Sequence, residues 1–490
     1  MAQGHRRRDG LVGMGGLRHA SVAPQQSALA LPAGSDARDP MGQSLSRREF
    51  LRGGLAGAAA LTLGPGGLRG MAVAAPPVTP TADQFDAEVP AAWFDLSLNL
   101  VKQTAGFSPP VASRGFAYAG IALYEALVPG MPDHRSLAGQ LNGLSELPHA
   151  GKNRVYHWPT VANSSMASIL RSLFPVATAE NRAAIDRLEA RFAARFRSGL
   201  PPGVYRRSVD RGQQVAAAVF EWSKSDGGHE GYLRNFSPDY VPPVGPGLWV
   251  PTPPGSLPAL QPFWESCRTF AVAAAAACPP GDHTPYSEEP SSPFYREAVE
   301  VYETVNDLTP QQRDIALFWS DDPGTTPTPP GHFISILTQV LRQRASSLQV
   351  AAEAYARVGI AVADAFICCW HVKYRYNLLR PVTYIQARID PSWLPILTTP
   401  PFPEYTSGHS VQSGASAQVL TDLFGEVAFT DHTHDSRGLA PRSFGSFLEA
   451  AEEAAISRLY GGIHFRPAIE LGVDQGRCIG KRVSALAFRA

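Results

Sequence analysis

Residues 348–381 read LQVAAEAYARVGIAVADAFICCWHVKYRYNLLRP, and this stretch decides the fold. Apolar residues return every three or four positions, which predicts one long helix, and residues 358–369 are apolar enough to predict that this helix is buried. Lys373 and Arg380 are seven residues apart, so the pattern predicts both side chains on one helix face, with Trp370 one turn earlier. Because buried cations need a partner of opposite charge, this face is expected to bind an anion.

Outward from this stretch, similar helical patterns dominate the chain, and loops rich in proline and glycine separate them. No run of alternating β-branched residues is long enough to seed a sheet. We therefore predict an all-α protein with two helical bundles in one domain and the active site in the C-terminal four-helix bundle. The predicted helices cover residues 91–104, 113–128, 163–174, 179–197, 202–223, 293–305, 310–319, 331–344, 348–379, 411–420 and 444–460.

Composition divides the chain into three segments. Residues 1–74 are predicted to be a disordered n-region followed by a signal peptide. Residues 75–262 are predicted to form an N-terminal helical bundle with its connecting loop, and residues 263–490 the C-terminal catalytic bundle. The loop of residues 226–262 combines proline and glycine with aromatic residues, so it is expected to be an ordered surface loop or lid.

The first segment carries the features of an export signal. The phrase SRREFLR at residues 46–52 is of the twin-arginine type, and a Gly/Ala/Leu stretch at residues 53–64 and a cleavage-like AVA at residues 72–74 follow it. The apolar stretch is too short and too rich in glycine to be a stable membrane anchor. We predict export by the twin-arginine translocation machinery, with the mature protein periplasmic or secreted and translation starting at Met1 or Met41.

Charge and cysteine content exclude several classes of function. Lys+Arg and Asp+Glu are both 43, so the formal net charge is zero and no nucleic-acid partner is expected. The five cysteines show no zinc-binding spacing. A Cys267–Cys278 disulfide across a proline-rich loop is one alternative and two free thiols are the other, whereas Cys368 and Cys369 lie in an apolar helix and are expected in the core.

A second phrase, PFPEYTSGHS at residues 401–410, leads into a helix of small residues. Ser407 and Gly408 lie where that helix is predicted to begin, so unpaired backbone N–H groups and the Ser407 hydroxyl would face an anion there. His409 follows directly and would act on a bound anion as a general acid or base. Alternatively, Thr406 and Ser407 simply cap the helix and His409 lies on the surface.

A third phrase, SRLYGGIHFRPA at residues 457–468, contains Arg458 and His464. Gly461 and Gly462 are predicted to break the helix between them, which allows the two side chains to converge although their spacing is not helical.

Together, Lys-x6-Arg-Pro, Ser-Gly-His and Ser-Arg-x5-His resemble the signature of the vanadium-dependent haloperoxidases and the type 2 phosphatidic acid phosphatase superfamily. There are 24 residues between Pro381 and Thr406 and 47 between His409 and Ser457, spacings that are usual in this superfamily. Earlier phrases, among them FWSDDPG at residues 318–324, also resemble bacterial haloperoxidases of the exported, chloroperoxidase-like type.

The resemblance implies a role for each member of the constellation. The three cations and the Ser407–Gly408 pair would bind the equatorial oxygens of vanadate. Vanadate is the only cofactor that the resemblance implies, and neither haem nor flavin is expected. His464 would be the axial ligand of vanadium, and His409 the acid or base beside the axial position. The implied cofactor-binding residues are Lys373, Arg380, Ser407, Gly408, Arg458 and His464, and the implied catalytic residues are His409 and Lys373.

Two positions bear on the choice between peroxidase and phosphatase. Trp370 and Phe402 match residues that line the halide side in chloroperoxidase-type members, although both are equally explained as core aromatics. Ala468 stands where the family has an aspartate that supports the last histidine, and this loss should weaken phosphoryl transfer more than ligation. A backbone carbonyl is one candidate replacement, and the side-chain candidates are Asp321, Asp322 and Asp435. Asp321 or Asp322 would alternatively pair with a pocket arginine or cap a turn.

The favoured interpretation is a haloperoxidase of the chloride or bromide type, which oxidises halide with hydrogen peroxide to hypohalous acid that halogenates an organic acceptor. An exported acid phosphatase with His464 as nucleophile is the alternative, and an anion-binding relative without turnover is a third. Helical relatives often dimerise, so the resemblance leaves a homodimer open.

Overall fold

The computed structural model describes residues 80–489, so the predicted leader lies outside the described residues. Helices dominate this part of the chain, which confirms the all-α prediction. In chain order the α-helices are α1 (Glu88–Gln103), α2 (Pro109–Leu127), α3 (Trp158–Leu173), α4 (Ala179–Arg197), α5 (Pro202–Ser223), α6 (Pro293–Asn306), α7 (Pro310–Phe318), α8 (Thr328–Gln343), α9 (Leu348–Tyr376), α10 (Pro381–Arg388), α11 (Gly408–Phe424), α12 (Phe447–Tyr460) and α13 (Arg466–Ser484).

The long helix α9 is common to two groups of helices. On one side it packs along α2, which in turn contacts α3 and α5. On the other side it packs on α11, which lies between α12 and α13. A Cβ atom on Gly120 would lie 2.5 Å from the Tyr355 carbonyl oxygen, and one on Gly359 would lie 2.7 Å from that of Phe116. Only glycine at these two positions lets the α2 and α9 backbones approach so closely.

The end of α9 differs from the prediction. The helix stops at Tyr376, because Asn377 adopts a left-handed conformation with φ of 47°, and Arg380 is extended at the start of α10. Lys373 and Arg380 are therefore not two turns apart on one helix, and the prediction of a shared helix face was wrong. Asparagine tolerates the left-handed region better than most residues, so this C-cap is a local effect.

Two helices and a short sheet were not predicted. Helices α10 and α13 are additional, and β1 (Phe429–Asp431) pairs antiparallel with β2 (Arg442–Phe444). Each strand has three residues, too few for an alternating pattern to be visible in the sequence.

A disulfide joins Cys278 to Cys478 on α13, with 5.9 Å between the Cα atoms. The predicted Cys267–Cys278 alternative was wrong, since Cys267 is a buried free thiol, as are Cys368 and Cys369. The partner lies 200 residues away in sequence, a pairing that composition and spacing do not reveal. Among residues 80–489, no helix combines the length and apolar character that a membrane crossing requires.

Candidate active site

A cavity of about 600 Å³ opens where the three sequence phrases meet. Most of the predicted site residues form its wall, and they come from four separate parts of the chain. The loop of residues 226–262 also contributes, through residues 235–236 and 252–257, and the backbone N–H of Leu260 donates to the Pro401 carbonyl at 2.8 Å. The predicted residues on the wall are Asp321, Asp322, Trp370, Phe402, Gly408, His409, Arg458 and His464.

Arg380 is fully buried at the start of α10, where it is held by the backbone. Its Nε donates to the Phe402 carbonyl at 2.9 Å, and its Nη1 donates to the Ile463 carbonyl at 2.7 Å and lies 3.1 Å from His464 Nε2. Its Nη2 has no hydrogen-bond partner among residues 80–489. A rigid guanidinium with one free donor beside the histidine suits an anion oxygen.

Lys373 lies in the last turn of α9, fully buried, so burial lowers the pKa of its ammonium group to about 7. Its Nζ donates to the carbonyls of Pro403 and Glu404, both at 2.9 Å. Nζ also lies 4.9 Å from the centre of the Phe402 ring, which the Arg380 guanidinium faces at the same distance. Lys373 and Arg380 therefore both lie beside the Phe402 ring, although they come from different elements and do not share a helix face.

Arg458 occupies the last turn of α12, where its Nη1 donates to the Trp319 carbonyl at 2.8 Å. Its Nε has no partner within the described part of the chain. Burial lowers the pKa of Arg458 to about 10, although the negative charges of Asp322 and Asp321 act to raise it. Neither carboxylate lies within 4 Å of a pocket arginine in residues 80–489, so the predicted direct pairing is absent there. Asp321 instead contacts two buried histidines.

The start of α11 supplies the fourth part of the site. Ser407 is the N-cap, and its Oγ accepts from the backbone N–H of Ser410 at 3.3 Å. Gly408 is the first helical residue, and a Cβ atom there would point toward Trp370 at 3.7 Å. The Nε2 of His409 is shut off from solvent and has no partner among the described residues. Burial and then the charge of Arg458 lower the pKa of His409 well below its usual value, so its imidazole is neutral at neutral pH.

His464 lies between α12 and α13, after a turn at Gly462 with φ of 77°. Its Nδ1 lies 2.8 Å from Glu404 Oε1, which also accepts from the Phe465 backbone N–H at 2.9 Å. This network assigns the His464 proton to Nδ1 and leaves a lone pair on Nε2, where Arg380 Nη1 donates. Burial, together with the charges of Arg380 and Lys373, lowers the pKa of His464 well below its usual value.

Glu404 is therefore the carboxylate that supports His464, a role that the sequence analysis did not assign to it. The predicted candidates Asp321, Asp322 and Asp435 do not contact His464 in the described residues. Ala468 contributes only its carbonyl, which accepts from the Ser407 N–H at 2.9 Å. The sequence offered one signal, a glutamate inside the apolar phrase PFPEYTSGHS, since a buried carboxylate requires donors.

Aromatic rings close one side of the cavity. Trp370 is fully buried, with its ring centre 5.0 Å from that of Phe402, and its indole N–H donates to the Leu260 carbonyl at 3.2 Å. The two rings line the cavity, and each also packs in the core, so the core interpretation is confirmed and the place of these rings on a halide side stays a prediction.

These features fit an oxyanion such as vanadate. Several buried polar atoms at the three phrases have no partner among residues 80–489, and the charge of Arg458 adds to burial in lowering the pKa of Arg380. Leaving buried donors unpaired costs about 1–3 kcal/mol for each group, which an anion would recover. The unpaired buried donors at the three phrases, among residues 80–489, are Arg380 Nη2, Arg458 Nε and the Ser410 hydroxyl.

A predominantly helical fold with this cationic, histidine-containing pocket is what the resemblance to the vanadium-dependent haloperoxidases predicts. The family model of the VCPO second helical-bundle domain matches residues 353–490. The chain is also similar to the solved structure of the first bacterial vanadium-dependent iodoperoxidase, at 39% sequence identity and a TM-score of 0.74, over 81% of this chain and 96% of that chain. It therefore belongs to the vanadium-dependent haloperoxidase family.

Two further solved structures share the fold. The holo-type bacterial vanadium-dependent chloroperoxidase is 17% identical, with a TM-score of 0.60 over 78% of this chain and 92% of that chain. The apo-type bacterial vanadium-dependent chloroperoxidase is also 17% identical, with a TM-score of 0.58 over 77% and 93%. The search of curated protein sequences gave no match.

Proposed function

We propose that this protein oxidises halide with hydrogen peroxide to hypohalous acid, which halogenates an organic acceptor, and that vanadate is its cofactor. The observation that carries the proposal is the pair of buried arginines with unpaired donors, Arg380 beside His464 Nε2 and Arg458, which suits a multiply charged oxyanion. The reaction consumes one halide, one peroxide and one proton, and it yields hypohalous acid and water.

When bound, vanadate would supply a Lewis-acidic centre that activates peroxide without changing its own oxidation state. Lys373, Arg380 and Arg458 would neutralise the charge on its oxygens. Glu404 holds the Nδ1 proton of His464, so the Nε2 lone pair is presented to the cavity. Neutral His409 accepts a proton from entering peroxide at Nε2 and returns one when water leaves.

Iodide is the halide that we expect to be oxidised most readily. The relative with 39% identity is an iodoperoxidase, whereas the likeness to the chloroperoxidases at 17% shows the fold alone. The aromatic wall of Trp370 and Phe402 would favour a large, weakly hydrated anion over chloride. Bromide is expected to react more slowly than iodide, and chloride more slowly still.

Phosphate-ester hydrolysis remains a second candidate, because a specific contact supports it. The loss of the family aspartate at Ala468 argued against a nucleophilic histidine, but Glu404 orients His464 in its place. His464 Nε2 would then attack phosphorus, and His409 would protonate the leaving oxygen.

One assay separates the two functions. The purified chain, reconstituted with orthovanadate, should halogenate a cyclic dione in the presence of peroxide and iodide or bromide. The vanadate-free chain is tested in parallel on an aryl phosphate. His464→Ala should abolish activity, whereas the control His371→Ala, on α9 but paired with Glu265 outside the pocket, should retain it. Hydrolysis without halogenation would favour the phosphatase, and full halogenation by His464→Ala would refute the assigned pocket.

We also propose export by the twin-arginine route and action outside the cytoplasm. The motif at residues 46–52 supports this proposal, and the Cys278–Cys478 disulfide suits an oxidising compartment. Fractionation of cells that produce the full chain tests it: the Arg47→Lys/Arg48→Lys variant should accumulate in the cytoplasm, and unchanged export of this variant would contradict the route.

A further inference from the structure

A second group of polar side chains lies deep in the protein beside the anion pocket. Asp321, which follows α7, contacts His332 on α8 and His434, which follows β1. All three residues are buried, with His332 fully enclosed and His434 only 2% exposed. They offer one carboxylate oxygen and two imidazole nitrogens that all lie within 4.8 Å of one another.

Two atoms of this group are unsatisfied. Asp321 Oδ1 and His434 Nε2 are both buried, and neither has a hydrogen-bond partner among residues 80–489. They lie 3.3 Å apart without the geometry of a hydrogen bond. In a tetrahedral zinc site with bonds of 2.0–2.1 Å, two ligand atoms lie about 3.3 Å apart. The separation suits two ligands of one ion better than it suits a donor and an acceptor.

His332, the third possible metal ligand, is held in a fixed orientation by a second carboxylate. His332 Nε2 lies 2.7 Å from Asp431 Oδ2, and the other oxygen of Asp431 accepts from the Thr433 backbone N–H at 2.9 Å. A carboxylate on one imidazole nitrogen is the usual support for a histidine that binds metal through the other. That other nitrogen, His332 Nδ1, faces Asp321 at 2.8 Å, so an ion bound there would displace the proton between them.

We propose that Asp321, His332 and His434 form a binding site for a divalent transition-metal ion, and that the ion is zinc. Two imidazoles and one carboxylate are borderline donors that suit zinc rather than calcium or magnesium, which prefer oxygen. The site adjoins the anion cavity, whose wall includes Asp321, but the residues proposed to hold vanadate are others. Its aromatic surroundings, with the Trp319 ring centre 4.3 Å from that of His332, would exclude bulk water.

The ion would act on the anion pocket by positioning one of its walls. Asp321 has φ of 50° and directly precedes the turn that begins at Asp322, which lies on the cavity wall. Two residues earlier, the Trp319 carbonyl accepts from Arg458. A metal joining Asp321 to His332 and His434 would fix this segment against α8 and the residues that follow β1. Arg458 would then be held in place by a rigid acceptor.

Metal content, rather than activity, tests the proposal. The vanadate-free full chain is stripped with a chelator, dialysed against zinc, and analysed by mass spectrometry for bound metal. We expect about one equivalent of zinc that survives gel filtration and raises the melting temperature. Substitution by cobalt(II) should give the intense visible bands of a tetrahedral site, which an adventitious surface ion does not give. Failure of the wild-type chain to retain zinc or to show these bands would overturn the proposal.

Variants locate the ion. His434→Gln should weaken zinc binding by at least about tenfold. His432→Gln is the matched control, since His432 lies two residues earlier but is half-exposed and bonded to Asp435. Loss of zinc from His432→Gln, or unchanged binding by a folded His434→Gln, would contradict the assignment. His464→Ala should keep the zinc; its loss there would mean that the ion occupies the anion pocket. None of these readouts depends on halide oxidation.

Discussion

Glu404 and His464 are 60 residues apart in sequence, yet Oε1 of one lies 2.8 Å from Nδ1 of the other in a fully buried contact. The same oxygen accepts from the Phe465 N–H, so the carboxylate fixes both the ring and the backbone beside it. The structure thus supplies the support for His464 that Ala468 lacks, and it does so from the phrase that also carries Ser407 and His409.

Replacing Glu404 tests this support directly. Glu404→Ala should weaken vanadate binding by about 10–100-fold, because the imidazole loses its orienting partner, and Glu404→Gln should lose less because its amide oxygen still accepts. Calorimetric titration with orthovanadate measures the effect. Glu300→Gln is the control, since Glu300 pairs with Arg466 outside the pocket. Equal affinity of Glu404→Ala and Glu300→Gln would show that His464 needs no such partner.

Arg380→Lys should also reduce vanadate affinity, by about tenfold or more. The guanidinium makes two backbone contacts and keeps Nη2 free, and a single ammonium group cannot reproduce that geometry. The same titration measures the loss, with circular dichroism as a check on folding. Arg466→Lys is matched to it, because that side chain is partly exposed and pairs with Glu300. If both lysine variants bind vanadate like the wild type, Arg380 does not contact the anion.

The Cys278–Cys478 disulfide should stabilise the fold substantially. It closes a loop of 200 residues, for which the chain-entropy model gives about 5 kcal/mol as a limit. The variant Cys278→Ser/Cys478→Ser should therefore melt at a lower temperature than the wild type under oxidising conditions. Adding a reductant should remove most of the difference. Equal melting temperatures without reductant would mean that the bond does not form in the purified chain.

Acid should destabilise the protein through Glu353. Burial would raise the pKa of this carboxyl, but the hydrogen bond with His134, the charge of Arg357 and the hydrogen bond from Arg489 outweigh it and lower the pKa to about 2. Because the folded pKa is depressed, this stabilisation is present above about pH 4.5 and is lost as the pH falls toward 2. The shift corresponds to about 3 kcal/mol.

Denaturant unfolding between pH 6 and 3 measures this term. Glu353→Gln should be less stable at pH 6 and should show a shallower decline toward pH 3 than the wild type. Asp186→Asn, in an exposed ion pair with Arg171, serves as the control and should follow the wild-type curve. Parallel curves for wild type and Glu353→Gln would refute the linkage.

Much of the fold followed from local patterns, whereas a missed helix reflects packing between distant segments. The bounds of α4 and α5 match the prediction because clear periodicity lies between Thr178, which caps α4, and the turn after Ser223. Helix α13 was not among the predicted helices, and its glycines lower the intrinsic helix propensity of this segment. In the structure, Gly476 is where α13 meets α11, since a Cβ atom there would lie 2.1 Å from the Val411 carbonyl. The need for glycine at this position comes from packing between two distant segments, which the sequence of α13 alone does not reveal.

The residues of the site likewise fall into those that the sequence predicts and those that only the fold reveals. The phrases around Lys373, Ser407 and Arg458 could be predicted, because each lies within one short segment whose residue types and spacing form a recognisable motif. The role of Glu404 could not, since only the fold decides which buried carboxylate meets His464. The contacts of Asp321 with two histidines likewise require that α8 and the residues after β1 lie against each other. The spacing of these residues in the sequence does not predict that contact.

The sharing of α9 between the two groups of helices has a consequence for engineering. One face of this helix is closed by α2 and the other by α11, so neither group has a complete interior without it. A chimaera with a related enzyme would need to exchange α2, α9 and α11 together. New substrate preferences are therefore more readily sought by grafting residues 252–257, which line the cavity from a surface loop, than by recombining whole halves of the chain.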